Sequence, residues 1–328
     1  MENQRNILVA LVLVALLLFG WDSAMQYFYP QPAVEAQNAA QAAADADEPA
    51  PSGRNREGGL TSAADIEEEE RDLETQLADA GRVAIAAPAV EGSINPVGAR
   101  IDDLTLTRHR QTVDRDSPPV RLFSPNGTPA QYFTQFGWVG EGVSVPGPDT
   151  VWQSEGGPLT PDSPVTLSWN NGSGQRFAIR FEVDDNYLIT ATQTVANTGD
   201  GPVAVQPYGF INRTSRTASS DIWNVQSGPI ADVDNSVDFG TDYDDLDETR
   251  VIPAEGSSEW LGFTDIYWLS ALVPEETASA DGSFRALGDK HYRADLIYDP
   301  VTVQPGKQVS RTTRLFAGAK ESDVLEAY

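Results

Sequence analysis

Two histidines, His109 and His291, are the only imidazoles in the chain, and there is no cysteine. The missing thiol removes disulfides, thiolate metal sites, cysteine nucleophiles and lipid attachment through a cysteine. His109 lies between Arg108 and Arg110, and His291 between Lys290 and Tyr292. Neither has an acid at metal-ligand spacing, so both read as ordinary surface residues. A serine nucleophile needs a base beside it. Gly142-Val143-Ser144-Val145-Pro146 lacks the last glycine of a nucleophile elbow and reads as a loop. No phosphate-cradling glycine pattern occurs, and the sequence implies no cofactor. The stretch 231–248 holds eight acids. A calcium loop wants Gly at its sixth position and Glu at its twelfth. Counted from Asp232 these are Val237 and Tyr243, and from Asp234 they are Phe239 and Asp245, so both registers fail. A solvated acidic hairpin or loop is the better reading. Carboxylate pairs for glycoside chemistry cannot be chosen among 49 acids without geometry. Trp260, Phe263, Tyr267 and Trp268 crowd into nine residues. They read either as core packing of two adjacent strands or as an apolar contact region for a peptide or lipid segment.

The elements that must position these residues emerge from the rest of the chain. It has 328 residues, 22 Lys+Arg against 49 Asp+Glu, and a formal net charge of −27. Such acidity argues against nucleic-acid phosphates and against lying on an anionic membrane surface. With 40% hydrophobic and 9% aromatic residues a sizeable core is expected. At roughly 150 residues per domain, the length fits two domains, or one large β domain with appendages.

Residues 7–21 form an apolar run of 15. At about 1.5 Å per residue the run covers roughly 22 Å, short of a hydrocarbon core about 30 Å thick. Continuation to Tyr27, Phe28 and Tyr29 makes the length adequate, with Trp21 and Tyr27 in the interfacial belt. Ile7, Leu11 and Leu18 would face lipid. A cleaved signal peptide is the competing reading, but Asp22-Ser23-Ala24-Met25-Gln26 is a poor cleavage site. An uncleaved anchor over 1–29 is therefore expected. Arg5 precedes the run and the next basic residue is Arg54. This asymmetry places the N-terminus inside and everything after about residue 29 outside.

Residues 30–82 read as an Ala-, Pro- and acid-rich linker. Within it an acidic helix is expected over about 62–80. Ile66, Leu73 and Leu77 form one stripe, Ser62 can cap the start and Gly81 can end it. With so little apolar surface it reads as a solvated spacer, the other reading being a docking helix for a partner. From residue 83 short β-type runs alternate with turn signals. In 177–183, Phe177, Ile179, Phe181 and Val183 face one way while Ala178, Arg180 and Glu182 face the other. Similar runs are 100–107, 131–139, 165–169, 187–196, 203–213, 260–272, 292–298 and 307–317. The expected fold class is mostly β, with a large antiparallel sandwich or barrel over 83–318. Residues 319–328 look like the opening of a helix whose apolar side is Val324, Leu325 and Tyr328.

Several long runs resemble the YidC membrane protein insertases in matching order. They are MENQRNILVALVLVALLLFGW at the start, GSINPVGARIDDLTLTRHRQT at 92–112 and SPNGTPAQYFTQFGWV at 124–139. WLGFTDIYWLSALVP at 260–274 and LFAGAKESDVLEAY at 315–328 complete the set. The resemblance implies an N-in first helix in the bacterial inner membrane and a periplasmic β-supersandwich, a galactose-mutarotase-like fold. It also implies a short helix leading to a five-helix membrane core. In that family the core inserts nascent inner-membrane proteins, alone or with Sec translocon components, without covalent chemistry. The sequence stops at Tyr328, where the resemblance places the start of that linker helix. The expectation is a piece of a longer protein without the insertase groove, so no groove residue is carried over. Fold alone does not transfer sugar chemistry. A membrane-tethered carbohydrate-binding or epimerase-like sandwich is nonetheless the alternative, and a purely structural spacer is a third reading.

Overall fold

The alternation in Gln175–Val183 becomes a strand whose odd-numbered residues are buried and whose even-numbered ones are exposed or half-buried. Leu188–Asn197, beside it, alternates in the same way. Such strands bury one face each, and two faces meet in the computed structural model of the chain. It describes residues 59–328 except 79, 80, 113, 115, 220–225, 235 and 255–257. The proposed anchor, with Arg5, Ile7, Leu11, Leu18, Trp21 and Tyr27, lies outside the described residues, as does the linker as far as residue 58. Among the described residues no helix is long and apolar enough to cross a membrane.

The described residues make two sheets, in which every ladder between strands is antiparallel. The first has ten strands. Its order is Val83–Ala86, Val90–Asn95, Arg100–Arg110, Tyr132–Glu141, Val203–Thr214, His291–Tyr298, Ala280–Gly288 and Val251–Ala254. Pro119–Phe123 also pairs with Arg100–Arg110, and Val301–Val303 with Val203–Thr214. The second has nine, in the order Ser236–Asp238, Gly228–Val233, Ser258–Thr264, Trp268–Pro274, Lys307–Ala319, Leu188–Asn197, Gln175–Val183, Val165–Asn170 and Gln153–Glu155. The expected large antiparallel sandwich is what forms.

The sheets join through one hydrophobic core. Phe136 of the first meets Phe181 of the second at 6.1 Å between ring centres, and Trp138 meets Phe177 edge-on at 5.2 Å. At the far end Phe263 packs edge-on against Phe284. Offset and edge-on pairs suit the ring quadrupoles. A polar tie also crosses the core: the buried Gln193 donates from Nε2 to the Gly137 carbonyl at 2.7 Å.

Three α-helices decorate the described part: α1 (Ala63–Leu77), α2 (Tyr243–Thr249) and α3 (Ser322–Leu325). Ser62 caps α1, its side chain accepting from the Asp65 N–H. Ile66, Glu69, Glu70 and Leu73, spaced i, i+3, i+4, i+7 on one face of α1, line a cavity shared with the sandwich. Glu69 is buried and its Oε2 accepts from the Ala130 N–H at 2.7 Å. The helix is thus seated on the β domain on this side, where its composition reads as a solvated spacer.

The acidic stretch 231–248 is a hairpin followed by α2. Asp242 and Asp245 form a reciprocal capping box at the start of α2, and Asp247 accepts from the Tyr292 hydroxyl at 3.1 Å. Asp242 and Asp245 thus serve a helix N-terminus, where backbone N–H groups need acceptors. The run 260–272 divides into two strands, with Asp265 to Tyr267 as the turn between them. Gly262 stands opposite Ala271 in this ladder. A Cβ there would stand 1.9 Å from the Ser270 carbonyl oxygen.

Candidate functional site

Strand alternation decides the fate of the aromatic cluster. Phe263 and Trp268 point into the core, Trp260 is half-buried, and Tyr267, at the turn, is 51% exposed. The four residues therefore form no single face. Phe263 packs edge-on against Tyr132 at 6.5 Å, while the Trp268 and His109 rings meet in a T-shaped pair at 5.3 Å. Tyr267 alone presents a large apolar surface outward, with its ring 6.1 Å from Trp268.

Trp268 also lines a cavity of about 190 Å³ between α1 and the sandwich. Ile66, Leu73, Val120 and Leu122 give it apolar walls. Its floor is a buried ion pair that joins the two sheets. Arg213, at the end of Val203–Thr214, is 1% exposed, and its Nη2 donates to both Asp265 oxygens at 2.8 and 2.6 Å. Asp265 Oδ1 accepts further from the Ser227 hydroxyl at 2.9 Å and the Ser219 N–H at 3.3 Å. The guanidinium carbon lies 4.9 Å from the centre of the Tyr132 ring. Burial pushes the Tyr132 phenol up to about 12, despite the nearby Arg213 charge, so it stays neutral. Its hydroxyl meets that of Ser270 across the sheets.

Three fully enclosed polar atoms of residues that line this cavity have no hydrogen-bond partner among the described residues: Arg213 Nε and Nη1, and Glu69 Oε1. With the Arg213–Asp265 pair they make a buried polar cluster beneath α1. No local sequence signal announces it. Arg213 and Asp265 are 52 residues apart, and Glu69 lies in a helix that reads as solvated.

Beside the cavity a second cluster fixes the chain's end. His109 Nε2 lies 3.1 Å from the Tyr187 hydroxyl and 3.0 Å from Glu321 Oε1, and Tyr187 donates to that same carboxylate at 2.6 Å. Hydrogen bonds from Tyr187 and then His109 hold the Glu321 carboxyl below its ordinary range. His109 is thus a tertiary contact rather than an ordinary surface histidine. His291 pairs with Thr214 at a strand start and lines a shallow open recess with Gln131 and Asn212. Among the described residues no group of three or more His, Asp or Glu is placed to hold a metal.

Comparison with known proteins gives the site its context. A family model described as the YidC periplasmic domain matches residues 82–328. The chain is 38% identical over its whole length to the membrane protein insertase YidC of Zymomonas mobilis, and 37% to that of Rhizobium johnstonii. It covers 55% and 56% of those proteins, so it spans about half the length of the relatives it matches. Among solved structures it is similar to a galactose mutarotase related enzyme from Lactobacillus acidophilus, with a TM-score of 0.48 and 10% identity, covering 74% of this chain and 98% of that one. A putative aldose 1-epimerase from Escherichia coli gives a TM-score of 0.47, also at 10% identity, covering 73% and 99%. At that identity neither likeness transfers a function.

Proposed function

The chain belongs to the YidC membrane protein insertase family, and on that premise we propose that its β domain is a periplasmic docking domain that binds partners and converts none of them. The observation that carries this reading is the continuous match over 82–328, which takes in every strand from Val83 to Ala319. The partners are nascent inner-membrane proteins and, beside them, Sec translocon components. Residues 1–29 are the tether, with Arg5 inside and Ile7, Leu11, Leu18, Trp21 and Tyr27 meeting the bilayer. Residues 30–82 connect the tether to the domain, with α1 resting on the sandwich, and 319–328 lead back towards the membrane.

A binding role fits the chemistry at hand. Arg213 and Asp265 are committed to each other, and His109 is committed to Tyr187 and Glu321. Tyr267 is the exposed aromatic of the 260–268 cluster and the natural first contact for an apolar segment. The test replaces Tyr267 with a photoreactive phenylalanine in cells that are synthesising an inner-membrane protein. Adducts with that protein or with a Sec component are the expected result. Adducts only with cytoplasmic proteins, or none at Tyr267 and none at the exposed Val139, would overturn the docking role.

A further inference from the structure

On the premise of that docking role, we propose that α1 is a displaceable strap over an apolar groove of the sandwich. The groove takes a short amphipathic helix from an emerging membrane protein, one with bulkier apolar residues than α1 itself.

The groove already holds a helix, and holds it imperfectly. Val120, Leu122, Tyr132 and Trp268 supply apolar walls on the sandwich side, and α1 faces them with Ile66, Glu69, Glu70 and Leu73. Contacts at i, i+3, i+4 and i+7 are how an amphipathic helix lies in a groove. Here two of the four are carboxylates, and a cavity of about 190 Å³ is left between α1 and the sandwich. Such a void forfeits the contacts that packed side chains would make. A helix with Leu or Phe at those places gains them.

The hold on α1 is weak as well. Ile66 and Leu73 are only half-buried. Glu69 is the buried residue of the helix, and among the described residues one hydrogen bond ties α1 to the sandwich, from the Ala130 N–H to Glu69 Oε2. The other oxygen, Oε1, is enclosed without a partner, so release returns a poorly satisfied carboxylate to water. The ion pairs of α1, Arg71 with Glu68 and with Asp72, are internal. The helix does little to hold itself together. Seven of its 15 residues are acidic, with like charges four apart at Asp65 and Glu69, Glu68 and Asp72, and Glu70 and Glu74. At that length an isolated helix is marginal in water. Leu60, three residues before α1, is buried among the cavity walls and anchors the strap at its start. The tether gives α1 an effective concentration in roughly the millimolar range. A partner helix must bind better than α1 to displace it, which selects segments with the bulkier face.

The test uses the whole 328-residue chain in detergent. The probe is a fluorescent peptide of sequence 59–78 carrying Glu70→Leu and Leu73→Phe. A second chain has its own strap loosened by Ile66→Asp with Leu73→Asp. Anisotropy should give a Kd below about 100 μM for the loosened chain and binding at least about tenfold weaker for the parent. The unsubstituted 59–78 peptide should bind the loosened chain about fourfold more weakly than the probe or worse, the effect of one or more buried methylenes. A photoreactive group at position 66 of the probe should label residues 119–132 or 268. In the parent, α1 amides should exchange at least about 100-fold faster than those of Gln175–Val183, because α1 opens while the sandwich stays folded. The proposal is overturned if the probe gives no saturable binding to a loosened chain whose strands exchange as the parent's do. It is equally overturned if the parent binds the probe as tightly, if the labels fall elsewhere, or if α1 exchanges as slowly as Gln175–Val183. The exchange measurement needs no substituted chain, so it decides the matter even where the loosened chain does not fold. Cross-linking at Tyr267 is read separately in cells, so a failure of the docking role is told apart from a failure of the strap.

Discussion

Replacing Asp265 with alanine strands a guanidinium in the core. Arg213 is 1% exposed, and Asp265 supplies both oxygens that its Nη2 meets. Removing one partner of a buried pair costs about 3–5 kcal/mol, because the remaining charge is left unanswered in a poorly solvating medium. The Ser219 N–H and the Ser227 hydroxyl lose the same acceptor, so the upper part of that range is expected. Against a total stability of about 5–15 kcal/mol the loss is large. At roughly 2–4 °C per kcal/mol the midpoint should fall by roughly 6–20 °C. Removing both charges together is a different perturbation. Arg213→Met with Asp265→Leu leaves no buried charge, so this pair should be more stable than Asp265→Ala by about 2 kcal/mol or more. Urea unfolding of parent, single and double variants reads all three values, with the midpoint shift at constant slope as the measure. An Asp265→Ala cost below about 1 kcal/mol, or a double variant no better than the single, would refute the assignment of the pair as a buried inter-sheet tie.

Other positions give independent checks. Gly262→Ala should destabilise by about 2 kcal/mol or more, since its Cβ meets the backbone of Ser270 rather than a movable side chain; thermal unfolding reads the loss. Phe263→Ala should cost about 3–5 kcal/mol and Tyr267→Ala no more than about 0.5 kcal/mol, because the first ring is in the core and the second lies half outside; urea midpoints separate them. The Glu321 carboxyl is held below its usual range by Tyr187 and His109, so its contribution is full above the ordinary glutamate pKa of about 4.3 and is lost as pH falls through the lowered value. Amide exchange in residues 320–328 should therefore quicken as pH falls through that window, once corrected for the intrinsic rate, and Glu321→Gln should abolish the dependence.

The sheets were written locally and the site was not. Period-2 runs such as 177–183 and 187–196 appear as strands because one face of each is buried and the other is not. The turn glycines stand where the chain needs them: Gly172 has φ 76° and Gly306 has φ 72°, conformations that side chains with a Cβ disfavour. Where the run 260–272 breaks, no Gly or Pro marks the turn, since Asp265 is drawn inward by a partner 52 residues away. Short edge strands such as Gln153–Glu155, exposed throughout, carry no alternation to read. Helix α2 escapes a periodicity search because seven residues bury only Leu246. His109 looks like a surface residue until Glu321, 212 residues later, folds against it. The same holds for Glu69, whose acidic helix gives no hint of a buried carboxylate.

The proposed docking role predicts that this domain stands in for that of a relative, and a domain exchange tests it most directly. Residues 82–328 would replace the matching segment of the Zymomonas mobilis insertase in cells depleted of their own, with insertion of a labelled inner-membrane protein as the readout. Insertion close to that of the unexchanged protein is the predicted result. A chimera that accumulates in the membrane with its β domain folded, yet inserts no better than the depleted cells, would contradict it.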